Sequence, residues 1–215
     1  MSNSATNWVA DKLVTKEGLD IVERTPEDFL VVKTKGGDSF IVAVLGVQNI
    51  IELSDVEPLF AGANKPQFVV NIPSKARWSG AAINYVHAAS AAFGTLREVA
   101  QASYYHDPGC YREKNMDFYF TAMNQHSHVS CVSYVYETAF KVDRKFGPSL
   151  IVAIIDAYNM SAEDVRNAKK YYGHFDIALK STSYGSITSQ ADAAAKSMGA
   201  EALMLGELMS RLAKK

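Results

Sequence analysis

LVVKTKGGDSFIVAVL at residues 30–45 aligns without a gap on FKVDRKFGPSLIVAII at residues 140–155, an offset of 110. Val32/Val142, Lys35/Lys145, Gly37/Gly147, Ser39/Ser149, Ile41/Ile151, Val42/Val152 and Ala43/Ala153 are identical. A three-residue shortening then places Ser54 on Ser161 and Phe68 on Phe175, and Phe93-Gly94-x-Leu96 matches Leu205-Gly206-x-Leu208 at an offset of 112. A chain that writes one unit twice predicts two copies packed as a pseudo-dimer, with any binding site at the equivalent loops or the seam. The boundaries expected are 1–107 and 108–215, with residues 102–114 as the junction.

The bulk numbers agree with that organisation. The chain has 215 residues, enough for two units of about a hundred residues, each with its own core. Its 48% hydrophobic and 21% charged residues are ordinary for a globular protein. A net charge of −1 argues against a protein that coats nucleic acid by charge alone, so any such binding must use local patches. No apolar run reaches the roughly 18 residues that span a bilayer, and the opening MSNSATNWVADKLV does not resemble a secretory signal. Two cysteines, Cys110 and Cys131, make no disulfide framework. The expectation is a cytoplasmic protein without membrane contact.

Periodicity places the elements. Trp8, Val9, Leu13 and Val14 give a short amphipathic helix, and residues 19–24, 29–35 and 39–45 read as strands with a turn at Lys35-Gly36-Gly37-Asp38. Ser54-x-x-Glu57 reads as a capping box cut short by Pro58, Phe68–Ile72 as a strand, and 79–101 as helix with a break at Phe93-Gly94. In the second copy, residues 115–126 read as helix, 131–143 as one long strand, and 150–155 as a central strand apolar on both faces. Ser161 caps a helix that Gly173 ends; strand 175–179, helix 186–198, strand 201–205 and a terminal helix follow. Strands alternating with helices predict an α/β fold with mixed sheets flanked by helices.

From Ser161 onward, the order capped helix, strand, Ser/Thr/Gly loop, Ala-rich helix, strand and Leu205-Gly206-Glu207-Leu208 resembles the end of Mrr-type, restriction-endonuclease-like domains of the PD-(D/E)xK superfamily. The helix, hairpin and central strand before it suit the same core, so the resemblance implies two tandem units of this fold. Active members hold a divalent metal, Mg²⁺ or Mn²⁺, with an acid on one strand and a Glu/Asp-x-Lys motif on the next. Neither Phe40–Leu45 nor Leu150–Ile155 carries that motif. What the resemblance leaves is a rearranged metal and catalytic set of Glu137, Asp156 and Lys180 in the second copy. Ile155-Asp156-Ala157-Tyr158-Asn159 also resembles the strand end of NYN/PIN nucleases, but the loop after residue 180 lacks the acids those enzymes need.

The loops after the two later strands correspond: Pro73-Ser74-Lys75-Ala76-Arg77-Trp78-Ser79-Gly80 and Lys180-Ser181-Thr182-Ser183-Tyr184-Gly185-Ser186. Hydroxyls, glycine and a cation before a helix, at the C-terminal end of a parallel strand, are the ingredients of an anion site. Ser74, Lys75, Arg77, Lys180, Ser181, Ser183 and Ser186 are therefore the phosphate-binding candidates; the bland alternative is helix capping. His106, Cys110, His126, His128 and Cys131 lie within 26 residues, and the alternatives are a zinc site of no standard spacing or ordinary packing. In an extended stretch His126 and His128 would face opposite sides. Tyr104, Tyr105, Tyr111, Phe118, Tyr119 and Phe120 offer rings for stacking bases, or for filling an interface between the copies. No nucleophile elbow, P-loop or dinucleotide fingerprint is present.

Three functions follow as expectations. The first is a nucleic-acid-associated protein of nuclease-like fold with a degenerate metal site, binding nucleic acid or a nucleotide, in restriction or phage–host conflict. The second is a metal-dependent nuclease active through the second copy. The third is a non-catalytic assembly module that binds a protein partner or forms a homo-oligomer.

Overall fold

The structure, a computed structural model, describes residues 3–214. Contacts divide the chain into Met1–Glu113 and Lys114–Lys215, six residues beyond the boundary expected from the sequence. The first unit runs α1 (Ser4–Thr15), β1 (Ile21–Arg24), β2 (Leu30–Lys33), β3 (Ser39–Gly46), β4 (Ile50–Ile51), α2 (Leu53–Val56), β5 (Phe68–Asn71), β6 (Arg77–Trp78), α3 (Gly80–Ala88), β7 (Ala92–Gly94) and α4 (Leu96–Ala102). The second runs α5 (Lys114–Asn124), β8 (Val129–Tyr136), β9 (Ala139–Arg144), β10 (Leu150–Ile155), α6 (Ala162–Tyr172), β11 (Ile177–Lys180), α7 (Ser189–Ser197), β12 (Glu201–Leu203) and α8 (Leu205–Leu212).

Each unit has a five-stranded mixed sheet, ordered β1-β2-β3-β5-β7 in one and β8-β9-β10-β11-β12 in the other. The first three strands form an antiparallel meander, and the last two join parallel to its third member. Strands therefore stand in chain order with only the second reversed, and helical crossovers supply the parallel connections. The stretch expected as one strand, 131–143, is in fact the hairpin β8–β9, which turns at Glu137-Thr138. The break at Phe93-Gly94 is the edge strand β7, not a kink in a helix.

Strand alternation divides the second sheet's side chains between two faces. Val152, Ile154, Ile177 and Leu179 pack against Tyr119 and Met123 of α5 and Leu208 and Leu212 of α8. Ala153, Ile155 and Ala178 pack against Val165 of α6 and Ala191 and Ala195 of α7. The first unit buries Val42, Phe68 and Val70 against Val9 and Leu13 of α1 and Val99 and Ala102 of α4. Val9 and Leu13 correspond to Tyr119 and Met123 at the offset of 110, so the repeat reaches back to the first helix.

Pairing registers correct the later part of the sequence alignment. Val42 pairs with Phe68 where Val152 pairs with Ile177, which makes Phe68 equivalent to Ile177 rather than Phe175. The change from 110 to 109 happens at one place. Val44 pairs with Val70 and Gly46 with Asn71, leaving Leu45 as an extra bulged residue; Ile154 and Ile155 pair with Leu179 and Lys180 without interruption. Gly46 sits at φ +94°, the left-handed region a bulge of this kind demands and glycine alone enters freely.

From there 109 holds to the end. The N-cap of α2 is Glu52, whose N–H donates to Asp55 (2.8 Å), and its counterpart Ser161 donates to Asp164 (2.8 Å). Ser54 is not the cap, so its match to Ser161 falls. Thr95 N–H donates to Glu98 (2.6 Å) as Met204 N–H donates to Glu207 (2.8 Å), which replaces the match of Gly94 to Gly206. Even the small β4–β6 ladder recurs, as a single parallel bridge from Met160 to Ile187.

Candidate functional site at the C-terminal edge of the second sheet

β10 and β11 end side by side, and the loops leaving them, 156–160 and 181–187, form one edge of the second unit. Lys180 closes β11 and is 1% exposed. Its Nζ donates to the carbonyls of Thr182 (2.7 Å) and Tyr184, so the ammonium is solvated by the loop it precedes. Asn71, its counterpart, is equally buried. Asn71 donates to the carbonyls of Gln48 (2.8 Å) and Pro73 (3.5 Å). Both units thus end the fourth strand of the sheet with a buried polar side chain that shapes the next loop.

Asp156 lies exposed just beyond β10, and Ser181 Oγ donates to its Oδ1 (2.7 Å). The Ser181 carbonyl accepts from the hydroxyl of Tyr119. Burial first, and then the Asp156 charge, raise the pKa of that hydroxyl, keeping it a donor. The two loops are tied together beyond this point. Ser186 N–H and Oγ both donate to Asn159 Oδ1 (2.9 and 3.2 Å), and Met160 N–H donates to the Ser186 carbonyl (2.9 Å). Gly185, at φ +74°, runs so close to the Tyr158 carbonyl that a Cβ there would sit 1.9 Å from its oxygen. Tyr158 and Tyr184, one on each loop, are 68% and 75% exposed.

The other candidates fall elsewhere. Glu137 sits in the β8–β9 turn, not on a strand, and accepts from the Tyr171 hydroxyl (3.3 Å). Ser74 and Lys75 are exposed in the first unit, and Arg77 forms β6 opposite Ile50. Ser183 is exposed beside Tyr184. His126 and His128 share the α5–β8 turn with ring centroids 5.6 Å apart, because the stretch is a turn and not extended. His106 and Cys110 belong to the end of the first unit. Among the described residues, no three His, Cys, Asp or Glu side chains come together as a ligand set. Tyr111 enters the first core beside Phe68, and Tyr119 the second; Tyr104, Tyr105 and Phe118 are exposed.

Sequence reasoning named Asp156, Lys180, Ser181 and Ser186 but missed Tyr119 and Asn159 as their partners. The Ser-Tyr-Gly run and the Asp-x-Tyr-Asn run were the available signals, since tyrosine beside glycine at a strand end marks a ring on a tight loop. Among the described residues no helix is long and apolar enough to cross a membrane. No family profile, characterised protein or solved structure matches the chain. The fold defines a class, a tandem α/β protein of two mixed five-stranded sheets with flanking helices.

Proposed function

We propose that this chain is a nucleic-acid-associated protein of restriction-endonuclease-like fold, in which a binding edge replaces the metal-dependent cleavage centre. The observation that carries this reading is the path each unit follows: helix, three-stranded meander, crossover and parallel strand, twice over. That is the path the nuclease resemblance implies. The strands that would carry the acid-x-lysine motif instead hold Val42 and Ala43 in the first unit, and Val152, Ala153 and Ile154 in the second, all buried. Apolar side chains there supply no metal ligand, and Lys180, which pairs with Ile155 from the neighbouring strand, is committed to two carbonyls.

The test uses labelled single-stranded and duplex oligonucleotides at low salt, followed by incubation with Mg²⁺ or Mn²⁺. Saturable binding without strand scission is the expected result. Metal-dependent cleavage that Asp156→Ala abolishes would move the protein to the nuclease reading. No binding to any oligonucleotide would retire nucleic acid and leave an assembly role.

A further inference from the structure

We infer that the second unit reads single-stranded nucleic acid by stacking bases on Tyr158 and Tyr184, without clamping phosphate; this rests on the function proposed above. Two tyrosines at 68% and 75% exposure, on neighbouring loops, leave ring faces in solvent. Aromatic faces held outward on a fixed backbone are the stacking half of how single strands are bound with little regard to sequence. The backbone here is fixed from three sides. Lys180 holds the carbonyls of Thr182 and Tyr184, Asn159 holds Ser186, and Gly185 lies against the carbonyl of Tyr158. Ordering the rings for a ligand therefore costs little additional loop entropy.

The polar groups of this edge point to bases and not to phosphate. The Lys180 ammonium is buried against backbone oxygens, and the Ser186 N–H and hydroxyl both donate to Asn159 Oδ1. Asp156 stands exposed on the same edge, where a carboxylate repels phosphate but accepts from the amino groups of adenine, cytosine or guanine. The first unit lacks the whole device. The positions equivalent to Asp156, Tyr158 and Tyr184 are Val47, Asn49 and Lys75.

Fluorescence anisotropy with a labelled mixed-sequence single strand, and with the duplex of the same sequence, tests this on the full chain. The single strand binds at least about tenfold tighter than the duplex. Tyr158→Ala with Tyr184→Ala weakens single-strand binding by about 30-fold or more, the loss that two stacked bases carry. Tyr158→Phe with Tyr184→Phe restores it, because the ring faces remain. Both rings are exposed, and circular dichroism confirms that the alanine pair is folded. The affinity falls only shallowly with salt, since each phosphate neutralised on a single strand adds about −0.7 to the logarithmic slope. Undiminished binding by the alanine pair, or a slope steeper than about −3, overturns stacking while leaving nucleic-acid association intact. Failure of the unaltered protein to bind any oligonucleotide overturns both.

Discussion

The outer strands β7 and β12 are equivalent, yet each unit finishes its last strand differently. In the first, the chain after α4 returns through a 3₁₀ turn at Pro108–Cys110, and Tyr111 enters the core beside Phe68, Ala92, Val99 and Ala102. Its hydroxyl donates to Gln101 (2.7 Å), and Arg112 donates to the carbonyl of Gly109 (2.9 Å). In the second, the positions of Ala92 and Ala102 carry Glu201 and Arg211, which form an ion pair (2.7 Å) along a groove that also contains Leu203, Glu207 and Lys214. Two small residues make room for a ring; two long charged ones span the same place themselves. The lesson is that a repeated backbone path tolerates opposite solutions at its edge, because only positions buried in both units must match in kind.

The sharpest way to break this correspondence is to delete residues from β3. Removing Leu45 takes out the bulge and gives β3 the uninterrupted register of β10, so a cooperative thermal transition survives. Removing Ile41, four residues earlier, turns Val42, Ala43 and Val44 onto the wrong faces before the bulge can absorb the shift, and abolishes the folded unit. Equal tolerance of both deletions in circular dichroism melts would disconnect the bulge from the change of offset.

Next in size is Tyr111→Ala, which empties a buried aromatic site and lowers stability by about 3–5 kcal/mol in urea denaturation. Tyr111→Phe keeps the ring and loses the bond to Gln101, a cost of about 1 kcal/mol. Lys180→Met strands the carbonyls of Thr182 and Tyr184 and costs about 1–3 kcal/mol. A negligible loss would mean that water replaces the ammonium there.

The pH dependence separates the units further. His87, on α3 beside Phe93, has its pKa lowered from 6.5 to about 3 by burial and, secondarily, by the Arg112 charge. Its counterpart at the offset of 109 is Lys196, exposed and paired with Asp192. A depressed histidine takes up its proton in the unfolded chain but not in the folded one. The stability it permits is complete above about pH 6.5 and is lost as pH falls toward 3, at no more than about 1.4 kcal/mol per pH unit. His87→Phe flattens that slope in urea titrations from pH 7 to 4; an unchanged slope would assign it to other groups. The smallest effect is expected at Glu201→Ala, where an exposed ion pair contributes less than about 1 kcal/mol to the urea midpoint.

The sequence was legible where identity follows burial. Ile41, Val42 and Ala43 and their copies fill central strands, and such positions accept few substitutions. It misled beyond the bulge, where chance matches at Ser54, Phe68 and Gly94 outweighed the true equivalences. Those equivalences share a role without sharing a residue type. Glu52 and Ser161 both open a helix, and Gln67 and Asp176 both accept from the N–H of the strand alongside, at Ile41 (3.3 Å) and Ile151 (2.7 Å). A hydrogen-bond acceptor can be an amide or a carboxylate, so alignment by letter cannot see it.

The same limit governs the functional edge. Amino-acid order alone determined the duplication, the α/β class and the prominence of Asp156 and Lys180 at strand ends, because apolar periodicity and turn residues act over short stretches of chain. Only the folded arrangement decided that the Lys180 ammonium turns inward to two carbonyls, that Asp156 meets Ser181, and that Tyr158 and Tyr184 are left outside. The meeting of Asp156 with Ser181 joins residues 25 positions apart. Even the turn of Lys180 onto its own loop follows from how that loop is folded back, a matter of distance in space that no local pattern encodes.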